Sequence, residues 1–144
     1  MKKFILISVG VIALAVLGFF VINKLATNTA SEPDTTGEEK MNGYTKITMT
    51  EAKEIFATDG DYIILDVRRA DEFAEGHIPG AINIANEDIG TTEPELLPDK
   101  EQSIYVYCRS GNRSKQASSK LAAMGYTNII EFGGIIDWTG EIER

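Results

Sequence analysis

Hydrophobic positions divide the chain into three stretches of different character. Residues 4–22 form an unbroken run of nineteen residues without a charge, preceded by Lys2 and Lys3. The run is apolar on every face, unlike the single stripe of a surface helix, and it approaches the ~20 residues a helix needs to cross a bilayer. Residues 26–43 are mostly Thr, Asn, Ser, Glu, Pro, Asp and Gly, with almost nothing to bury. That is the composition of a flexible linker. From Tyr44 onward, short apolar runs alternate with amphipathic segments, and residues 44–144 are expected to form one folded domain.

Within that domain, Thr48 followed by Glu51 has the spacing of a capping box. It predicts a helix to about Ala57, with Ala52, Ile55 and Phe56 on one face. Residues 62–67 are almost continuously apolar, as in a strand buried on both faces. A short helix is expected over residues 70–75, a bend over 76–80 and a short strand over 81–84. Residues 86–100 read as loop, with one helical turn at 93–97. Residues 104–107 are a second buried strand, which runs directly into Cys108. A helix over 114–124 turns Ala117, Leu121 and Met124 inward and stops at Gly125. Ile129 and Ile130 make a further strand, and Gly133-Gly134 turns into a last short helix carrying Trp138. Alternating strands and helices with apolar strands predict an α/β fold, a central parallel sheet with helices on both faces. No internal repeat is visible.

Charge narrows the function. The chain carries 14 Lys and Arg against 22 Asp and Glu, a net charge of −8. All of the imbalance falls in residues 44–144, since residues 1–43 carry four charges of each sign. Nucleic acid is thereby excluded as a partner, because its phosphates require a basic face. Cys108 is the only cysteine and His77 the only histidine, so no intramolecular disulfide and no Cys or His metal cluster is available, and no cofactor is expected.

The chemistry concentrates in Cys108-Arg109-Ser110-Gly111-Asn112-Arg113, between a strand and a helix. In open α/β sheets ligands bind at the carboxyl ends of the strands. A short loop with a glycine, entering a helix, can turn successive backbone N–H groups toward one point. The helix N-terminus adds partial positive charge, and two arginines add full charges. A cysteine so placed is expected to ionise readily and to act as a nucleophile beside an anionic substrate. The bland alternative is a buried free cysteine serving as a small hydrophobe. The polar neighbours instead suggest a solvent-facing loop.

Three segments together resemble the rhodanese family: Leu65-Asp66-Val67-Arg68 with Glu72-Phe73, Gly76-His77-Ile78-Pro79-Gly80-Ala81 and Asn83-Ile84; the loop from Cys108 to Arg113; and Gly133-Gly134 before Trp138. The resemblance implies a small rhodanese-like α/β domain that transfers sulfane sulfur from an anionic donor, such as thiosulfate, to a thiol or cyanide. Cys108 would carry the sulfur as a persulfide. The backbone of Arg109, Ser110, Gly111, Asn112 and Arg113 would cradle it, and the two arginine side chains would orient the donor. Phosphatases and arsenate reductases of related fold have a loop one residue longer. Here Arg113 lies five positions after Cys108, which suits sulfur rather than phosphate. Asp66 and Arg68 are expected to brace the loop as an ion pair. His77 is read as part of a turn, Glu72 as a bracing or surface carboxylate, Trp138 as core and Arg69 as a solvated charge. Lys115 either extends the positive mouth or is solvated.

Residues 1–25 are expected to be an uncleaved membrane anchor, with a cleaved signal segment as the alternative. Either reading exports the domain, and Lys2 and Lys3 remain on the cytoplasmic side. A tethered domain of this kind also admits a second role, as a module that binds a partner or delivers sulfur to a protein acceptor.

Overall fold

The computed structural model describes residues 39–144. The apolar run expected to be an anchor, and the linker up to residue 38, lie outside the described residues. Among the described residues no helix is long and apolar enough to cross a membrane.

The elements in chain order are β1 (Glu39–Met41), β2 (Tyr44–Lys46), α1 (Met49–Phe56), β3 (Tyr62–Asp66), α2 (Ala70–Glu75), β4 (Ile82–Asn83), β5 (Ser103–Cys108), α3 (Asn112–Ala123) and β6 (Ile129–Gly134), followed by a 3-10 turn at Ile135–Asp137. The strands form one sheet in the order β1-β2-β6-β5-β3-β4. Every neighbouring pair is parallel except β1 and β2. The expected α/β fold with a central parallel sheet is therefore present.

Strand alternation builds a core on each side of that sheet. Ile104, Val106 and Cys108 point from β5 to one side, where they meet Ala117 and Leu121 of α3. Tyr107 points to the other and packs with Phe132 of β6 and Ala52 of α1. The two helices thus cover opposite faces. On the α1 face the core is rich in aromatic edges. Phe56 meets Tyr105 and Phe132 at centroid distances of 5.2 and 5.4 Å, nearly perpendicular in both cases, the geometry that ring quadrupoles favour. Trp138 is half-buried in the same cluster.

Strand β6 runs past Ile130 through the expected Gly133-Gly134 turn, and two further boundaries differ from the sequence expectation. The linker was expected to reach residue 43, yet Glu39–Met41 pairs antiparallel with β2 across Asn42-Gly43. Both turn residues have positive φ, 46° and 88°, as a two-residue hairpin requires, and Asn-Gly is the dipeptide that adopts this turn most readily. The pairing is made by backbone and needs no apolar run, so hydrophobicity did not mark it. Helix α3 begins two residues earlier than periodicity suggests, because Gly111 caps it at φ 94°. The capping box at α1 forms as read: Glu51 N–H donates to Thr48 Oγ1 at 3.2 Å, and Thr48 N–H to Glu51 Oε2 at 2.6 Å. Residues 93–97 close as a single turn, with Leu97 N–H donating to Pro94 O at 3.0 Å.

Candidate active site

Cys108 is the last residue of β5, the strand at the middle of the sheet. A register shift between Val106 and Cys108 sets Cys108 opposite Gly134 of β6, a device that re-aims a side chain at the rim of a sheet. The sequence suggested a solvent-facing loop after Cys108. The structure buries Cys108 to 1% exposure, while Arg109 and Ser110 beside it are exposed. Alternation is the reason: Cys108 continues the inward row of Ile104 and Val106, and only the loop beyond it turns out to solvent.

One loop amide nevertheless reaches the sulfur. Gly111 N–H donates to Cys108 Sγ at 3.1 Å. That geometry needs Gly111 in the left-handed region, which a side chain opposes. Behind the sulfur, Ser114 Oγ lies 3.6 Å from Sγ. Ser114 and Glu131 are both fully buried, and Ser114 Oγ donates to Glu131 Oε1 at 2.6 Å.

Gly134 supports the loop from below. A Cβ at this position would lie 2.3 Å from Arg109 O and 2.5 Å from Ser110 Cα, both backbone atoms. The loop therefore rests directly on the bare Cα of β6. Gly134→Ala should cost about 1–3 kcal/mol through overpacking and reduce turnover about 10²-fold by displacing the sulfur. Thermal melts beside steady-state rates check this; a variant with unchanged turnover would mean that the loop tolerates the shift.

The two arginines part company. Arg109 is exposed and makes no side-chain hydrogen bond among the described residues. Arg113 is held end-on by Glu72 of α2, with Nη1 to Oε2 at 2.6 Å and Nη2 to Oε1 at 2.9 Å. The expected pair of free guanidinium groups is thus one free group and one neutralised group. Each nitrogen bound to Glu72 keeps a second N–H, and Nε keeps its own. The hydrogen bond from Arg113 draws the Glu72 carboxyl down to about 2, against the opposing effect of burial. Its ordinary value is 4.5. A carboxyl lowered on folding contributes stability above its unfolded value and loses it as pH falls through the folded one. The melting temperature of the wild type should therefore fall more steeply than that of Glu72→Gln between pH 4.5 and about 2. Parallel curves would show that the pair stabilises nothing.

Asp66 and Arg68 form the expected ion pair, buried at the end of β3. Arg68 Nε lies 3.0 and 2.9 Å from the two carboxylate oxygens of Asp66, and Nη2 lies 2.6 Å from Oδ2. Burial opposes the Arg68 charge, but the hydrogen bond and field of Asp66 prevail and raise its pKa. Arg68 Nη2 also donates to Gly76 O at 2.8 Å. Asn83 Nδ2 donates to the carbonyls of Asp66 and Arg68, each at 2.9 Å. Tyr107 OH receives the Ile78 N–H at 3.2 Å, so the turn at 76–80 is tied to the strand that carries Cys108. His77 belongs to this bracing. Its ring stacks on Phe73 at 3.7 Å, its Nδ1 lies 3.0 Å from Phe73 O, and its backbone pairs with Glu143.

Ser110 and Asn112 are exposed on the rim of the loop, and Lys115 is exposed one turn further on. Arg69 is exposed and lies 3.1 Å from Asp71. A groove of about 840 Å³ runs between Arg69, Asn83, Glu87 and Leu96, and no residue of the Cys108 loop lines it. Among the described residues no group of three His, Cys, Asp or Glu could hold a metal ion.

The family of rhodanese-like domains matches residues 48–141. The chain belongs to this family. It is 37% identical over 73 residues to the thiosulfate sulfurtransferase PspE of Escherichia coli, covering 51% of this chain and 70% of PspE. It is 36% identical over 89 residues to UBA4 of Candida albicans, an adenylyltransferase and sulfurtransferase; this match covers 57% of the chain but only 20% of UBA4. A solved E. coli rhodanese with anions superposes with a TM-score of 0.53 at 32% identity, over 58% of this chain and 98% of that one.

The sequence reading of the rhodanese-like loop missed two residues, Ser114 and Glu131. Glu131 carried a signal: it is an acid inside the apolar run Ile129-Ile130-Glu131-Phe132, where a buried carboxylate must have a reason. Ser114 carried none, because a serine in a first helical turn is ordinary.

Proposed function

We propose that the chain is a sulfurtransferase that carries sulfane sulfur on Cys108 and moves it from an anionic donor such as thiosulfate to a thiol or cyanide. The observation that carries this reading is the Gly111 N–H aimed at Cys108 Sγ at the start of α3. Family membership and relatives named as sulfurtransferases support it.

In the first half-reaction the Cys108 thiolate attacks the outer sulfur of thiosulfate. The donor S–S bond breaks, sulfite leaves with the bonding pair, and Cys108 holds a persulfide. In the second, the acceptor nucleophile attacks the terminal sulfur and the Cys108 thiolate leaves. Two displacements through a covalent intermediate give ping-pong kinetics. The loop amides of Ser110 to Arg113 and the start of α3 favour the negative charge of the terminal sulfur. Arg109 attracts the donor, and Arg113 assists with the N–H groups that Glu72 leaves free. Thiosulfate should add one sulfur atom to the mass of the full-length protein, and cyanide should remove it. Absence of that gain, or the same gain on Cys108→Ser, overturns the reading.

We also infer that residues 4–22 hold the domain at a membrane, on the extracytoplasmic side. The nineteen uncharged residues behind Lys2 and Lys3 support this. Protease added to spheroplasts should then cut the domain, and complete protection would refute that placement.

A further inference from the structure

Burial of Cys108 creates a problem of proton removal. At 1% exposure the thiol is shielded from bulk water, and no histidine or carboxylate touches Sγ among the described residues. The oxygen beside it is Ser114 Oγ at 3.6 Å. That hydroxyl has one proton and three acceptors in reach: Glu131 Oε1 at 2.6 Å, Gly111 O at 2.9 Å and Gly133 O at 3.4 Å. The short contact to the carboxyl takes the proton, which leaves the oxygen lone pairs for the thiol S–H.

Glu131 itself is unusual. It is fully buried, it has no ion-pair partner among the described residues, and Oε2 has no hydrogen-bond partner. Oε1 receives Ser114 and the Gly133 N–H at 3.0 Å. Burying a carboxyl in this way is costly, and a glutamine would accept the same two bonds. What a carboxyl adds is a place for a proton.

We propose that Glu131 accepts the Cys108 proton through Ser114. The Sγ–H bond breaks and its proton joins Ser114 Oγ, while the Ser114 proton passes to Glu131 Oε1. The electron pair stays on sulfur. One negative charge moves from Glu131 to Cys108, so the pair keeps one proton and its net charge throughout. The anion then lies against the Gly111 N–H. Within the sulfurtransferase reading, on which the functional meaning rests, the proton returns when the acceptor departs with the sulfur and the thiolate is released. Glu131 is thus a positioning residue that acts through Ser114.

Few charged or titratable groups face the pair. Tyr44 of β2 faces Glu131, and both burial and the Glu131 charge raise its pKa, so it stays neutral across the working range. Lys46 of β2 lies opposite Glu131 in backbone register. Arg113 of α3 interacts with Cys108, and Glu72 and Glu87 act on Arg113 in turn.

A shared proton gives a coupled titration with two macroscopic steps. The test follows the ultraviolet thiolate absorbance of the full-length protein against pH, taking wild type minus Cys108→Ser. The wild type should ionise in two steps, with a low-pH plateau of thiolate. Glu131→Gln and Ser114→Ala should each ionise in one step, and Ser114→Thr should restore the plateau. A carboxylate acting only as a nearby negative charge predicts otherwise: a single wild-type step, moved to lower pH in Glu131→Gln. A single step in the wild type overturns the proposal even if neither variant folds. The readout involves no sulfur donor. A two-step curve without persulfide formation would therefore remove the sulfurtransferase reading and keep the relay, and the reverse result would do the opposite.

Discussion

Cys108→Ser is expected to abolish sulfur transfer while leaving the domain folded. Turnover of thiosulfate with cyanide should fall by roughly four orders of magnitude or more, the scale on which loss of a nucleophile is felt. A hydroxyl is a far weaker nucleophile than a thiolate, and no persulfide can form on oxygen. Stability should change by only about 1–2 kcal/mol. The serine oxygen can still receive the Gly111 N–H, which donates to Sγ at 3.1 Å in the wild type, and it vacates little volume. The two readouts must be taken together. Residual turnover within tenfold of wild type would place the chemistry elsewhere, whereas a collapsed melting curve would make the loss of activity uninformative about the nucleophile.

Arg68→Met should be the most destabilising of the substitutions considered. Asp66 has no exposed surface, and the Arg68 side chain is only 8% exposed. Three side-chain contacts of 3.0 Å or less join the Arg68 guanidinium to the Asp66 carboxylate. Methionine fills the volume but leaves an uncompensated buried charge, which costs about 3–5 kcal/mol. In a domain of this size that lowers the melting temperature by on the order of 20 °C. The loss should reach function as well, because Arg68 also holds Gly76 O at 2.8 Å and the turn beyond it is tied to Tyr107. Replacing both partners, as in Asp66→Asn with Arg68→Met, should recover much of the stability, since paired replacement removes the stranded charge. A single variant that melts within a few degrees of wild type would show that Asp66 finds another partner.

Local signals made most of the domain legible. Continuous apolar runs marked β3 and β5, because strands buried on both faces have no polar side to display. Thr48 and Glu51 marked the start of α1, since a cap is a contact between residues three apart. The Asn42-Gly43 hairpin was also local and readable, but a search for hydrophobicity passes over a strand such as Glu39–Met41. In the site, the loop from Cys108 to Arg113 and the Asp66–Arg68 pair were visible for the same reason, as their members are close in sequence.

The partners of those residues were decided elsewhere. Glu72 reaches Arg113 across 41 positions of sequence, and Glu131 reaches Ser114 across 17. Each contact depends on which strands are neighbours and which face each side chain takes. By itself the sequence determined the class of fold, the family resemblance and the loop that follows Cys108, because those properties belong to short segments. Only the tertiary structure decided that the thiol is buried, that one arginine is neutralised, and that a buried carboxyl reaches the serine beside the sulfur. Burial, charge pairing and proton access arise where distant segments meet, and no short stretch of sequence contains them.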